Sequence, residues 1–174
     1  MVYGPREDSY LIQKVIVRFS RGKVLDMGTG SGILAAEAAE TADEVLGVDV
    51  DGKAVKEAKK RYPDIDFKVS NLFSRLGRSK FDLIIFNPPY LPTTKEDFKD
   101  AALDGGRHGD SVLLKFFNSS HKHLRPKGNI LFLASSLTRM DRIMKKLKKH
   151  GLHIEKLTDE KLPFETLTVY WVWR

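Results

Sequence analysis

The sequence predicts an α/β protein built on a mostly parallel sheet, and two stretches carry that prediction. Residues 81–86, FDLIIF, form an almost wholly apolar run, which is the pattern of a central parallel strand covered on both faces. Residues 23–27, KVLDM, form a second short apolar strand that runs into glycines and then an alanine-rich helix from Ile33 to about Thr41. Strands that alternate with helices are typical of parallel sheets.

The composition suits one globular domain over residues 1–174, with 41% hydrophobic and 30% charged residues. No apolar run is long enough to span a bilayer and no secretory signal precedes the first strand, so we expect a cytoplasmic protein. Cysteine is absent, which excludes disulfides and thiolate metal sites within the chain. The five histidines are scattered, and we expect no metal site.

The net charge of +7 favours an acidic partner or nucleic acid. The densest basic run, Lys145–Lys149, has a simpler interpretation. It lies opposite an apolar stripe of Met140, Ile143, Met144 and Leu147, as the solvated face of an amphipathic helix does.

The remaining elements follow from periodicity, turn residues and caps. Further helices are predicted after the acidic residues 7–8, over 53–62, over 111–124 and up to Gly151, and further strands over 44–50, 65–69, 129–134, 153–157 and 166–173. Arg125-Pro-Lys-Gly128 should end the 111–124 helix, and Thr138 and Asp141 have capping-box spacing for the basic helix. No helix separates the last two strands, so the last should close the sheet antiparallel, and 65–69 resembles an edge strand.

Two features predict a ligand site at the carboxyl ends of the strands. Gly28-Thr-Gly-Ser-Gly32 lets a ligand approach the backbone, and free N–H groups at the following helix favour a carboxylate or phosphate. Asp49 follows at nearly the spacing of ~20 residues expected of a ribose-binding acid. Asp51 is the better cap for the next helix, which leaves Asp49 for a ligand. A nicotinamide dehydrogenase would explain both features.

The motif Asn87-Pro-Pro-Tyr90 directly follows the apolar strand, and a dehydrogenase leaves it without a role. Pro88 disfavours the α region for Asn87, and neither proline has an N–H group. The loop is therefore stiff and rich in hydrogen-bond acceptors, and an ordinary Pro-Pro turn is the alternative interpretation. The segment 91–110 that follows is either a lid or disordered.

The combination of VLDMGTGSG, Asp49 and NPPY resembles the class I S-adenosylmethionine-dependent methyltransferases that act on planar nitrogen. MVYGPREDSYLI at residues 1–12 resembles, within these, the compact archaeal and eukaryotic branch of the HemK/PrmC-related release-factor glutamine methyltransferases. The resemblance implies a Rossmann-like, seven-stranded sheet with helices on both faces, and S-adenosylmethionine as cofactor. The implied cofactor-binding residues are Tyr3, Glu7, Asp8, Asp26, Gly28, Gly30, Gly32, Asp49, Val50, Asn71, Leu72 and Asn87. The implied catalytic residues are Asn87, Pro88, Pro89 and Tyr90.

The chemistry of an amide explains the NPPY motif. An amide nitrogen is a poor nucleophile because its lone pair is delocalised, so orientation must supply much of the rate. The Asn87 side-chain oxygen and the Pro88 carbonyl would accept the two N–H bonds of the target amide, and Tyr90 would offer a flat face. Asn71 departs from the family's usual aspartate at the adenine contact, although its amide oxygen also accepts hydrogen bonds.

The resemblance implies two protein partners. One is a class-1 release factor, methylated in its Gly-Gly-Gln loop, and the other is a small zinc-binding activator that would dock on the Ile65 to Val69 edge. Three alternatives stay open: a nucleic-acid (rRNA, tRNA or DNA) exocyclic amino methyltransferase, a protein methyltransferase with a lysine or another glutamine as target, and an inactive cofactor-binding scaffold.

Overall fold

Seven strands of one sheet organise the part of the chain that the structure describes, residues 7–89 and 110–174 of a computed structural model. The strands are β1 (Lys23–Met27), β2 (Glu44–Asp49), β3 (Asp66–Val69), β4 (Phe81–Phe86), β5 (Leu124–Ser135), β6 (His153–Lys161) and β7 (Thr166–Trp173). The helices are α1 (Glu7–Phe19), α2 (Ile33–Ala39), α3 (Gly52–Arg61), α4 (Ser111–Ser119) and α5 (Met140–Lys149), with a 3₁₀ turn at Ser120–His123.

The strand order is β3-β2-β1-β4-β5-β7-β6, and β7 runs antiparallel to both of its neighbours. Neighbours β3 to β5 all pair in parallel. The predicted seven-stranded, mostly parallel sheet with an antiparallel C-terminal strand is therefore confirmed. Within residues 7–89 and 110–174, no helix has both the length and the apolar character that crossing a bilayer requires.

Both faces of the sheet are covered, as the almost wholly apolar β4 requires. Leu83 and Ile85 of β4 pack in one cluster with α1 and α2. Ile84 and Phe86 point to the other face and pack with α4 and α5. Alternate side chains of β4 thus pack in two separate hydrophobic clusters, one on each face of the sheet. The prediction of helices on both faces is confirmed.

β5 begins five residues earlier than the sequence pattern indicates. Its first residue, Leu124, is paired with Phe81 of β4, and the register shifts by a bulge before Leu83. Arg125, predicted to end a helix, instead forms an ion pair of 2.7 Å with Asp82. Gly128 allows the close approach of this segment, because a Cβ there would lie 2.9 Å from the Phe81 carbonyl oxygen. Tertiary contacts therefore override the turn composition of this stretch.

The capping box predicted for α5 is wrong. Arg139 occupies the N-cap position, and Asp141 accepts a hydrogen bond of 3.1 Å from the Arg139 guanidinium rather than binding the Thr138 backbone. The Thr138 side chain is buried instead of capping the helix. The basic face is confirmed, since Ile143 and Leu147 are buried while Lys145, Lys148 and Lys149 are exposed. Met144, predicted for the apolar stripe, is instead 54% exposed.

The register places the ends of the central strands level with one another. Met27 of β1 is paired with Val48 of β2 on one side and with Phe86 of β4 on the other, and Phe86 is paired with Phe132 of β5. The loops that follow β1, β2 and β4 therefore leave the sheet at one carboxyl edge, where ligands bind in open α/β sheets.

Candidate active site at the carboxyl edge of the sheet

The glycine loop after β1 is held by backbone hydrogen bonds. The Thr29 N–H donates to the Val48 carbonyl at 2.9 Å, which ties the loop to β2. Gly32 adopts a φ of 80°, a left-handed conformation that favours glycine. A Cβ at this position would also lie 3.0 Å from the Phe67 and Tyr62 rings, so both backbone and packing require glycine.

Asp26 lies beneath this loop with its side chain fully buried. Its Oδ2 accepts a hydrogen bond of 2.6 Å from the Thr29 hydroxyl and one of 3.1 Å from the Ala35 N–H at the start of α2. Burial raises the pKa of Asp26 to about 7, against the opposing effect of these two hydrogen bonds. Asp26 therefore links the loop to the helix, and it titrates near neutral pH.

Asp49 ends β2 and faces the glycine loop. Its Oδ2 accepts a hydrogen bond of 2.9 Å from the Gly30 N–H, and its Oδ1 accepts one of 2.9 Å from the Asp51 N–H. Each carboxylate oxygen keeps a further acceptor position. Asp51 caps α3 through the Lys53 N–H at 2.8 Å, as the sequence predicted. A ribose-binding role for Asp49 stays a prediction.

Val50 and Leu72 follow β2 and β3, strands that are paired through Asp49 and Val69. Val50 is 60% exposed although it is a large apolar residue. Leu72 has a φ of 48°, rare for a residue with a side chain. The Ser70 hydroxyl donates to the Leu72 carbonyl at 2.7 Å, which holds this conformation. Strained backbone of this kind concentrates at ligand sites.

Asn71, between Ser70 and Leu72, has an exposed side chain, and its carbonyl accepts a hydrogen bond of 3.1 Å from the Ser74 N–H. It therefore lies beside Leu72 at the carboxyl edge. The adenine contact expected of Asn71 stays a prediction.

Asn87, Pro88 and Pro89 extend from the end of β4 beside the glycine loop. The pairing of Met27 with Phe86 places Gly28 and Asn87 at the same level of adjacent strands, which lie about 4.8 Å apart in a sheet. Pro88 is buried, and Asn87 and Pro89 are half-buried. Tyr3 and Tyr90 lie outside the described residues, as do segment 91–109 and the side chains of Glu7 and Asp8.

Comparison with known proteins identifies the family of this fold and site. Residues 8–158 match the family described as "Methyltransferase small domain". A protein from Methanocaldococcus jannaschii, named as a candidate protein N5-glutamine methyltransferase, is 38% identical over 99% of this chain and 92% of its own length. The chain belongs to the methyltransferase small domain family.

Two further similarities concern the length and the fold of this methyltransferase. A release factor glutamine methyltransferase from Koribacter versatilis is 33% identical over 70% of the chain, but this match spans only 50% of that relative's length. The structure of the E. cuniculi Mtq2-Trm112 complex, described as responsible for methylation of the eRF1 translation termination factor, superposes with a TM-score of 0.83. It is 22% identical, and the match covers 99% of this chain and 98% of that one. This second likeness confirms the Rossmann-like methyltransferase fold.

The cofactor of this methyltransferase is S-adenosylmethionine, and the described site suits that molecule. Asp26 Oδ1 is buried and has no hydrogen-bond partner among residues 7–89 and 110–174, so a nearby positive charge would stabilise its ionised form. Among residues 7–89 and 110–174, a Cβ on Gly30 would meet only the Gly28 carbonyl oxygen, 4.0 Å away, so these residues leave space above the loop. The exposed Val50 offers an apolar face beside Asp49. When bound, the cofactor supplies a methyl group on a sulfonium.

Two groups at this edge were missed at the sequence level. The sequence places Thr29 in the glycine loop without a role of its own, yet its hydroxyl donates a hydrogen bond to the buried Asp26. Asp110 is 1% exposed and pairs with Arg142 of α5 at 2.8 Å, which ties the start of α4 to α5. The three-residue spacing of Asp26 and Thr29 could have predicted their hydrogen bond. No residue near Asp110 in the sequence predicts its ion pair with Arg142. Among the described residues, no cluster of His, Asp and Glu side chains is arranged to hold a metal ion.

Proposed function

We propose that this methyltransferase transfers the methyl group of S-adenosylmethionine to the side-chain amide nitrogen of a glutamine, in the Gly-Gly-Gln loop of a class-1 release factor. We also propose that residues 1–174 act as a single methyltransferase domain. One observation carries the proposal. The pairing of Met27 with Phe86 sets the glycine loop directly beside Asn87-Pro-Pro, so a stiff group of acceptors adjoins the loop that would hold the methyl donor.

The acceptors suit a planar nitrogen that carries two N–H groups. Asn87 offers a side-chain oxygen and Pro88 a carbonyl, and the two prolines remove competing N–H donors. With both amide hydrogens bound, the nitrogen is aimed at the methyl group, and its growing positive charge is stabilised by fixed dipoles. The work of these residues is alignment, and no general base is needed before methyl transfer.

The proposal that the methyl acceptor is a glutamine in a protein is supported by the names of similar proteins. The M. jannaschii and K. versatilis proteins are both named for glutamine methylation. The Mtq2-Trm112 complex is described as acting on a termination factor. The net charge of +7 equally suits a nucleic acid, so an exocyclic amino group of a base is the competing acceptor.

The remaining assignments place three parts of the cofactor at the ends of β1, β2 and β3. Gly28, Gly30 and Gly32 would face the methionine end above Asp26, and Asp49 would bind the ribose. Val50, Asn71 and Leu72 would enclose the adenine. The same proposal gives Tyr3, Glu7 and Asp8 a place over the cofactor and Tyr90 a place against the substrate.

Transfer of a labelled methyl group tests the function directly. The chain would be incubated with methyl-labelled S-adenosylmethionine and a release factor, a release factor with the Gly-Gly-Gln glutamine changed to alanine, tRNA or rRNA. We expect label in the first protein only. Label in RNA alone, or equal label in both release factors, would contradict the proposed acceptor.

Two substitutions test the assignment of roles. Asn87→Ala should lower kcat by roughly 10²–10³-fold, since one acceptor of the developing charge is lost, while cofactor affinity stays near that of the wild type. Asp49→Ala should weaken cofactor binding first. Calorimetric affinities and turnover rates would be measured side by side, and an equal loss of cofactor binding in both variants would show that the roles are misassigned.

We further propose that a small zinc-binding activator protein docks on β3 at the edge of the sheet. β3 and β6 are the two outer strands of the order. β6 is interrupted by a register shift between Lys156 and Thr158 and carries charges along its length, which are features that protect edges from pairing. β3 pairs with β2 without a register shift, and its outer edge, unpaired among the described residues, suits β-augmentation.

Hydrogen exchange distinguishes the two edges. With such an activator added, amides of residues 65–69 should become protected while those of β6 keep their exchange rates. Protection confined to residues 153–161, or no complex by gel filtration, would remove the proposed docking site.

A further inference from the structure

Three of the six exposed large apolar residues of the described segments lie toward the carboxyl edge, on the opposite side of β4 from β1, β2 and β3. Phe164, in the turn between β6 and β7, is 95% exposed, the largest value among the exposed large apolar residues of the described segments. Leu137, in the loop after β5, is 48% exposed, and Tyr10 in the first turns of α1 is 54% exposed. We call these three residues the hairpin platform.

Hydrogen bonds hold the turn that carries Phe164 in place. The Leu162 N–H donates to the Glu165 carbonyl at 2.8 Å, and the Leu162 side chain packs on the core beneath α1. Ser136, next to Leu137, exchanges two hydrogen bonds with Thr166: its N–H donates to the Thr166 carbonyl at 2.8 Å, and its hydroxyl accepts from the Thr166 N–H at 3.0 Å. These bonds fix the backbone of the turn, so Phe164 is presented from an ordered segment and the backbone needs little further ordering on binding.

Tyr10 belongs to the same platform by the geometry of α1. Lys14 Nζ lies 3.8 Å from a carboxylate oxygen of Glu160 near the end of β6. Tyr10 precedes Lys14 by four residues and so shares its helix face, one turn further along. Since α1 leads into the amino end of β1, its first turns point toward the carboxyl edge, where the β6–β7 turn lies.

The register locates the platform relative to Asn87. Phe86 is paired with Phe132, and Phe132 with Tyr170, so Asn87 is level with Val169 two strands away. β7 begins at Thr166, three residues before Val169, which is a rise of about 10 Å; the turn that carries Phe164 adds about 5 Å, and two strand spacings add about 10 Å sideways. The resulting separation of about 18 Å equals about five residues of extended chain.

We propose that the hairpin platform of Phe164, Leu137 and Tyr10 docks the polypeptide segment that carries the methyl-accepting residue, through an apolar side chain about five residues from that acceptor. The inference rests on the proposed function, because it takes the acceptor to be a protein. The position argues for this occupant. Leu137 follows β5, the strand next to β4, and Phe164 lies about 18 Å from Asn87 at the same edge of the sheet, so a chain with its acceptor at Asn87 reaches the platform within about five extended residues.

The test compares Phe164→Ala with Met144→Ala, a matched change at an exposed apolar residue on α5. On an intact release factor we expect Phe164→Ala to raise KM about tenfold with kcat unchanged, the effect of losing an aromatic anchor. Met144→Ala should match the wild type. Cofactor affinity, and turnover of a five-residue peptide with the acceptor at its centre, should be unchanged in both variants.

The outcomes separate the two proposals. Label in the release factor with equal KM for all three proteins overturns the platform and leaves the function standing. No label in the release factor with the wild type, whether or not the activator is added, overturns the function and the platform with it. A dimer of the wild type that Phe164→Ala dissociates makes a second copy the occupant and also overturns the platform.

A photo-crosslinking residue at position 164 tests the spacing on its own. It should crosslink the release factor about five residues from the acceptor glutamine, and crosslinks confined to distant regions of the release factor would overturn the platform.

Discussion

Asp26→Asn should remove a pH dependence of cofactor binding that the wild type carries. In the structure without cofactor, burial raises the pKa of Asp26 to about 7. The cofactor adds positive charge above the loop that Asp26 supports, and this charge favours the carboxylate over the carboxylic acid. Binding should therefore release a proton near pH 6 and tighten as the pH rises.

The expected magnitude follows from the pKa alone. A carboxyl group with a pKa of about 7 is about one tenth ionised at pH 6 and about three quarters ionised at pH 7.5. If binding selects the carboxylate, the observed affinity follows the ionised fraction and increases about eightfold between these two pH values. Asp26→Asn keeps the side-chain shape without the charge, so its affinity should be lower and nearly constant over the same range.

Isothermal titration calorimetry measures both quantities. Titrations of S-adenosylmethionine at pH 6 and 7.5, in two buffers that differ in ionisation enthalpy, give the affinity and the number of protons released. S-adenosylhomocysteine, which lacks the sulfonium charge, is the control ligand and should show a smaller dependence. Equal pH profiles for the wild type and Asp26→Asn would refute the reasoning, because the titrating group would then lie elsewhere.

Three further predictions concern stability, measured as the free energy of unfolding in urea. Gly47→Ala should destabilise the fold by roughly 1–3 kcal/mol, because the new Cβ would collide with the Phe67 ring and lie 2.8 Å from Thr29 Oγ1. Gly52→Ala is the control and should not destabilise the fold, because its Cβ would make an ordinary contact at 3.7 Å. Equal losses of stability in the two variants would contradict the packing argument. Arg142→Met leaves the buried Asp110 without its ion pair and should lower the free energy of unfolding by about 2 kcal/mol, since the arginine is partly exposed. Arg139→Met, in the exposed pair with Asp141, should leave the free energy of unfolding close to that of the wild type. Burial, and then neighbouring positive charges, lower the pKa values of the stacked pair His121 and His150, so stability should fall as the pH drops below about 6.5. This dependence of stability on pH should be weaker in His150→Gln. Both proteins should carry Asp26→Asn, because the raised pKa of Asp26 makes stability increase as the pH falls between about pH 7 and 4.

The central part of the fold follows from sequence because local pattern and tertiary environment agree there. Residues 23–27 and 81–86 are apolar runs that become adjacent buried strands with the predicted bounds. The start of β5 could not be predicted in this way. Pro126 and Gly128 read as a turn, and only the ion pair of Arg125 with Asp82 and the pairing of Leu124 with Phe81 make the segment a strand.

The candidate site divides along the same line. The glycine loop, Asp49 and Asn87 are predicted because each lies at the end of a recognisable strand. The raised pKa of Asp26 was not predicted, since burial depends on residues far along the chain. The left-handed backbone of Leu72 also carries no sequence signal, because the residue is neither glycine nor asparagine.

The strand order explains why Asn87 should affect turnover more than the binding of either ligand. The order reverses between β1 and β4, and such a switch point opens a crevice at the carboxyl edge. The loops after β1, β2 and β3 lie on one side, with Gly30, Asp49 and Val50, and the hairpin platform lies on the other, with Phe164. β4 is the boundary strand, since it is paired with β1 on one side and with β5 on the other. A ligand on either side should therefore keep most of its contacts when Asn87 is changed, while the alignment of the two reacting atoms, which we propose this boundary supplies, is lost.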